Sequence, residues 1–296
     1  MYLRNEKYGG RFRVCYNNTK RRRSGELTAA VRIIYEEKSM DISSLILFED
    51  DSMIAVRKPA GLACESRRFT EPDLVSYLRS YLGAGGAGRA ENSGRTDNAG
   101  RTENSGRTDN AGRADTCAAP AVHMVNRLDQ GVEGICLFAK NSGSAAALSR
   151  QLSGGGMKKI YRAKTGGCIF EKPMNQRVTL TDYLLRDGRN NVTRVVPKET
   201  RGAKKASLIW ERTGKEELLI ELLTGRHHQI RAQLSHAGMP ILGDVKYGGE
   251  APRAKGTIAL CASEIRFRHP VSGAEMCISV RPESPYGWED PPRSGR

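Results

Sequence analysis

Between His123 and Lys140 the sequence runs HMVNRLDQGVEGICLFAK. The apolar run Ile135-Cys136-Leu137-Phe138-Ala139, closed by Lys140, predicts a buried strand. Ahead of it lies a glycine-bearing turn, Gln130-Gly131-Val132-Glu133-Gly134, and ahead of that the triplet Arg127-Leu128-Asp129. A carboxylate at the lip of such a turn is held firmly yet faces a cavity, which makes Asp129 the leading candidate for chemistry. On this triplet alone the ordinary reading is a turn former or cap.

The rest of the chain reads as strands with few helices. Leu45–Glu49 and Met53–Arg57 flank the acidic turn Asp50-Asp51-Ser52 as a hairpin, and Lys58-Pro59-Ala60-Gly61-Leu62 turns sharply after them. Helical spacing marks Pro72–Leu82 and Ser142–Leu152, and a shorter helix-like stretch covers Leu27–Glu37. Strands are expected at Lys159–Lys164, Ser207–Arg212, Glu216–Leu223, Thr257–Cys261, Ile265–Arg268 and Met276–Val280. Thr224–Gly238 reads as a strand end, a glycine turn and a helix striped by Ile230, Leu234 and Ala237. Hairpin-like connections without regular strand-helix alternation predict an α+β fold with a mainly antiparallel mixed sheet and flanking helices and loops.

Three segments stand apart in composition. Residues 1–43 hold ten Lys or Arg against five Asp or Glu and read as a basic, mobile extension. Gly88–Cys117 is a tandem hexapeptide (GRAENS, GRTDNA, GRTENS, GRTDNA, GRADTC) whose five Arg balance five acids. Without aromatic or large aliphatic side chains it cannot offset the entropy of ordering, so 84–117 is expected as a disordered insertion. Residues 284–296 read as a disordered tail, leaving 44–283 as the catalytic domain.

A net charge of +15 favours a polyanionic partner, and RNA or DNA suits clusters such as Lys20–Arg23 and Lys198–Lys205. No apolar run approaches the length of a membrane span, so the expected location is the cytoplasm, with no membrane partner and a monomeric state. Seven cysteines without a Cys-x-x-Cys pair argue against a disulfide framework or a zinc site. Cys136, Cys261 and Cys277 read as small core residues, and no metal is expected.

Several motifs occur in a telling order: Arg127-Leu128-Asp129 with Gly134 and Leu137–Lys140, Lys159–Ala163, Gly225–Arg231, Gly238–Asp244 with Tyr247-Gly248, and the flanking Glu49–Leu62 and His269-Pro270. Together they resemble the RluA-type RNA pseudouridine synthases over roughly Leu45–Pro282, the repeat excepted. Two departures lie beside the triplet. Asn126 stands where relatives commonly have His, and Val132-Glu133 where they commonly have Thr-Ser. The small N-terminal RNA-binding domain of many relatives has no recognisable copy here.

The resemblance implies a cofactor-free isomerase of ribosomal or transfer RNA. It makes Asp129 the essential carboxylate, Arg231 its partner, and Tyr161 the residue stacked on the uracil and aiding loss of the C5 proton. Arg127 would fill the space left by the flipped uridine. Asn126, Lys58, Arg226, His228 and Gln229 are expected to contact RNA; neither His227 nor His228 is given catalytic work. Two other readings remain: a non-catalytic RNA-binding or ribosome-assembly protein on the same fold, prompted by Asn126, Val132 and Glu133, and a two-carboxylate glycosidase with Glu133 as second acid.

Overall fold

The computed structural model describes residues 2–4, 11–16, 31–35, 40–66, 72–89, 121–167 and 174–288. The chain divides into two units, Met1–Ser44 and Leu45–Arg296. In the first, β1 (Tyr2–Arg4), β2 (Arg11–Tyr16) and β3 (Val31–Tyr35) form an antiparallel sheet in that order. Val31–Tyr35 is therefore a strand, not part of the helix expected over Leu27–Glu37, in keeping with the extended preference of Val31, Ile33 and Ile34.

The second unit opens with the expected hairpin, β4 (Ile46–Glu49) and β5 (Met53–Lys58). Asp50 closes its turn by accepting the Ser52 and Met53 amides, both at 2.8 Å. His269 Nε2 lies 2.6 Å from the same carboxylate and ties this turn to a distant one. Helix α1 (Leu74–Arg89) starts where Asp73 Oδ1 accepts the Ser76 amide, and runs past Leu82 into the first residues assigned to the insertion. The remainder of the hexapeptide, 90–117, lies outside the described residues.

Next come β6 (His123–Met124), β7 (Glu133–Ala139), α2 (Ser142–Ser153), β8 (Lys158–Lys164), β9 (Val178–Asp187), β10 (Val192–Val196), β11 (Lys204–Arg212), β12 (Glu217–Leu222), α3 (Gln229–His236), β13 (Leu260–Arg268) and β14 (Glu275–Ser279). The strands make one sheet in the order β10-β9-β11-β12-β8-β13-β7-β5-β4, with β14 beside β13 and β6 beside β7. Its named pairings are antiparallel except β13 with β7, where Cys261 faces Glu133 and Ala262 faces Gly134. Of the two strands expected here, only Leu260 and Cys261 of Thr257–Cys261 are in a strand, and they run on through Ile265–Arg268 as the single β13, with a register shift between Ala262 and Glu264; Thr257, Ile258 and Ala259 precede the strand.

All seven residues of β7 are buried. Ile135, Leu137 and Ala139 share a core with Met53, Ala55, Leu148 of α2, Ile265 and Phe267. A central strand with both faces covered needs this unbroken apolar run. Cys136 and Cys261 are core residues as expected, whereas Cys277 is exposed on β14.

The start of the supposed tail is instead docked. Glu133, almost wholly buried, accepts the amides of Glu283 (2.9 Å) and Ser284 (3.0 Å) and the Ser284 hydroxyl (2.6 Å). Trp288 donates its indole N–H to the Ser284 carbonyl at 3.0 Å, and Tyr286 donates to the Thr257 carbonyl at 3.0 Å. A buried carboxylate has to find donors, and this segment supplies them.

Candidate active site

Asp129 projects from a turn braced on several sides. Fully buried Lys58 donates Nζ to the carbonyls of Pro59, Leu62 and Gln130 at 2.9, 2.7 and 3.1 Å. Asn126 spends its amide on β7, donating to Ile135 O (3.1 Å) and accepting from Leu137 N (2.7 Å). Gly61 and Gln130 bond to each other, backbone amide to carbonyl at 2.8 Å and side-chain amide to carbonyl at 3.0 Å. Gly134 sits at φ 122, and a Cβ there would come within 2.4 Å of the Ala262 carbonyl oxygen, so only glycine lets β7 meet β13 directly behind the turn.

The carboxylate's partners come from the loop and helix after β12. His228 begins α3 in the left-handed region, φ 49. Gln229, expected on the RNA, is buried: its Oε1 accepts Thr224 Oγ1 (2.8 Å) and the Arg226 amide (3.0 Å), which shapes the loop. Arg231 then reaches two carboxylates. Nε and Nη2 form a fork on buried Asp244 at 2.7 and 2.8 Å, and Nη1 donates to Asp129 Oδ2 at 2.9 Å. Its guanidinium also lies over the Tyr247 ring, 4.9 Å from the centroid. Asp244 thus holds the residue that holds Asp129, whose side chain stays 30% exposed.

His228 approaches the same oxygen, Nε2 to Oδ2 at 3.5 Å. Tyr247 accepts the Thr193 amide at 2.7 Å and lies 2.9 Å from His228 Nδ1. If the Tyr247 hydroxyl donates to Nδ1, the ring's remaining proton sits on Nε2 and faces Asp129. Burial lowers the His228 pKa to about 4 against the opposing pull of Asp129, with Arg231, His227 and Lys246 adding to the depression. The ring is neutral at pH 7.

Tyr161 lies on β8 between Ile220 of β12 and Ala262 of β13, and is buried. Burial, then surrounding acidic groups that include Cys136 and Asp129, raise its phenol well above the usual range, so it is protonated at rest. Arg127 is exposed, as is Arg226, whose Nε donates to the Lys205 carbonyl at 3.1 Å.

Of the residues expected at the site, Asp129, Arg231 and His228 meet, and Tyr161 lies within electrostatic reach of Asp129. Lys58, Asn126 and Gln229 turn inward to brace the backbone, because each finds hydrogen-bond partners inside the fold. Asp244 and Tyr247 went unassigned; only the pairing of Gly243-Asp244 and Tyr247-Gly248 hinted at them. Among the described residues no three His, Cys, Asp or Glu side chains converge as a metal site would require.

Residues 52–236 match the family described as RNA pseudouridylate synthase. The chain belongs to that family. A Bacillus subtilis (strain 168) relative named as an uncharacterized RNA pseudouridine synthase is 30% identical over 80% of this chain and 68% of its own length. The ribosomal large subunit pseudouridine synthase C of Escherichia coli (strain K12) is 27% identical over 82% of this chain and 68% of its own. The tRNA pseudouridine synthase C of Pectobacterium carotovorum is 28% identical over 57% of this chain, which spans only 51% of that protein. In structure, human RNA pseudouridylate synthase domain containing 1 superposes with a TM-score of 0.56 at 18% identity, covering 80% of this chain and 82% of its own. The pseudouridine synthase fold accounts for the mixed sheet with few helices.

Proposed function

We propose that the protein isomerises specific uridines of ribosomal or transfer RNA to pseudouridine, with Asp129 as the essential carboxylate. The observation that carries this is the chain Asp244–Arg231–Asp129, which presents a partly exposed carboxylate from a rigid turn, with a protonated tyrosine nearby. The names of relatives point to the substrates, since one modifies the ribosomal large subunit and another tRNA. The net charge of +15 suits either.

In this reaction the bond from N1 to the ribose breaks, the uracil turns, and C5 takes the place of N1; C5 loses a proton and N1 gains one. No electrons are gained or lost. Asp129 begins the cleavage as nucleophile or base, and Oδ1, which takes no hydrogen bond among the described residues, is the oxygen open to the sugar. Tyr161 stacks on the uracil and assists departure of the C5 proton. Arg127 enters the vacated stack.

The residues that prompted other readings do other work. Asn126 and Val132 are buried in the turn, and Glu133 is committed to the C-terminal segment, which removes the second acid a glycosidase would use. Tritium release from RNA carrying 5-tritiated uridine tests the proposal. Wild type should release tritium and Asp129→Asn should not; equal release by both would sink it.

A further inference from the structure

Lys159 is two residues before Tyr161 on β8, so the two side chains leave the same face of the strand. Ile160, between them, points the other way and lines a cavity with Ile209, Trp210 and Leu219. The Lys159 ammonium passes over Gly225, where a Cβ would stand 3.5 Å from Nζ. Gly225 opens the loop that leads through His228 to Arg231. The ammonium therefore sits where the strand bearing Tyr161 meets the loop that leads to Asp129's partners.

Three other lysines are paired. Lys58 has its three carbonyls, Lys140 has Glu49 at 2.9 Å, and Lys246 donates to the Asn191 carbonyl at 3.3 Å. Lys159, half-buried, has neither an ion pair nor a hydrogen bond among the described residues. Burial alone shifts its pKa, downward, with no carboxylate to offset the cost. The Gly225 amide beside it also donates no hydrogen bond among the described residues. A desolvated cation next to an open amide suits an anion with several acceptor oxygens.

We propose that Lys159 binds a backbone phosphate of the RNA next to the uridine that enters between Asp129 and Tyr161. This rests on the function proposed above and assigns the cleft a fixed anion subsite. Its role is to seat the nucleotide, so its loss should weaken binding and leave the chemical step alone.

The test compares wild type, Lys159→Ala and Lys159→Arg on unmodified transcripts of ribosomal and transfer RNA, reading equilibrium binding and tritium release across a potassium chloride series. Losing one phosphate contact should flatten the slope of log affinity against log salt by about 0.7 to 0.9. In Lys159→Ala, KM should rise about tenfold with kcat within about twofold, an order-of-magnitude expectation for one charge-assisted contact, and Lys159→Arg should recover most of it. An unchanged salt slope in a folded Lys159→Ala would overturn the proposal, as would a loss confined to kcat. If the alanine variant fails to fold, Lys159→Gln takes its place under the same criteria. Because binding is read apart from turnover, an inactive wild type would defeat the catalytic reading while the salt slope still decides Lys159.

Discussion

Arg231 spans two carboxylates, and a rigid planar fork is what makes that possible. Lysine keeps the charge but has one donor centre, so Arg231→Lys should retain Asp244 or Asp129 and misplace the other. A displacement on the order of 1 Å costs about a hundredfold in rate, and that loss is expected in kcat/KM, together with a lower melting temperature because buried Asp244 loses part of its fork. His228 supports a pH prediction. Its pKa is depressed from 6.5 to about 4, so its contribution to stability is fully present above about pH 6.5 and lost as pH falls through 4. The shift corresponds to roughly 3 kcal/mol at most. Urea unfolding of wild type and His228→Gln across this range should show the gap between them narrowing as pH falls. A constant gap would mean the ring is not held neutral by burial.

At the scale of elements, the site depends on a joint. The parallel contact of β7 with β13 sets the Asp129 turn beside Tyr161, and it relies on Gly134 and Glu133. Gly134→Ala would push a methyl group against the Ala262 backbone and should destabilise the protein by more than about 3 kcal/mol. Glu133 joins the back of the same turn to the C-terminal segment. Glu133→Ala leaves three donors without an acceptor and should cost on the order of 3 kcal/mol in urea unfolding. Removal of residues from Glu283 onward should cost a similar amount. It should also lower activity, because Tyr286 packs against Gly243, next to Asp244.

For the whole molecule, charge and composition make two predictions. RNA affinity should fall steeply with salt, as expected of a chain carrying +15. Deleting Gly88–Asp115 should move the melting temperature by no more than about 2 °C, since those residues hold no apolar side chain larger than alanine to contribute to a core. A large drop would assign the repeat a structural role.

Local chemistry wrote much of this into the sequence: the apolar run of β7, the glycine turn that presents Asp129 and the helix after Gly225 all follow from residue spacing along a short segment, although α3 buries every residue from Gln229 to Leu234 and not only the expected apolar stripe. Strands β9 and β10 escaped because they bury little; β9 alternates half-buried and exposed positions with Leu184 as its one fully buried residue, and β10 has only Thr193 fully buried. Side-chain destinations were decided elsewhere. Lys58 looks like an RNA contact until Gln130, 72 residues on, offers its carbonyl, and Glu133 looks like a stray charge until Ser284 arrives from 151 residues away. Asp129 was legible as a candidate from its own turn, but the Asp244–Arg231 support behind it exists only after α3 and the loop that follows close together. Turn and strand formation are governed by neighbours in sequence, whereas the pairing of buried charges is governed by neighbours in space.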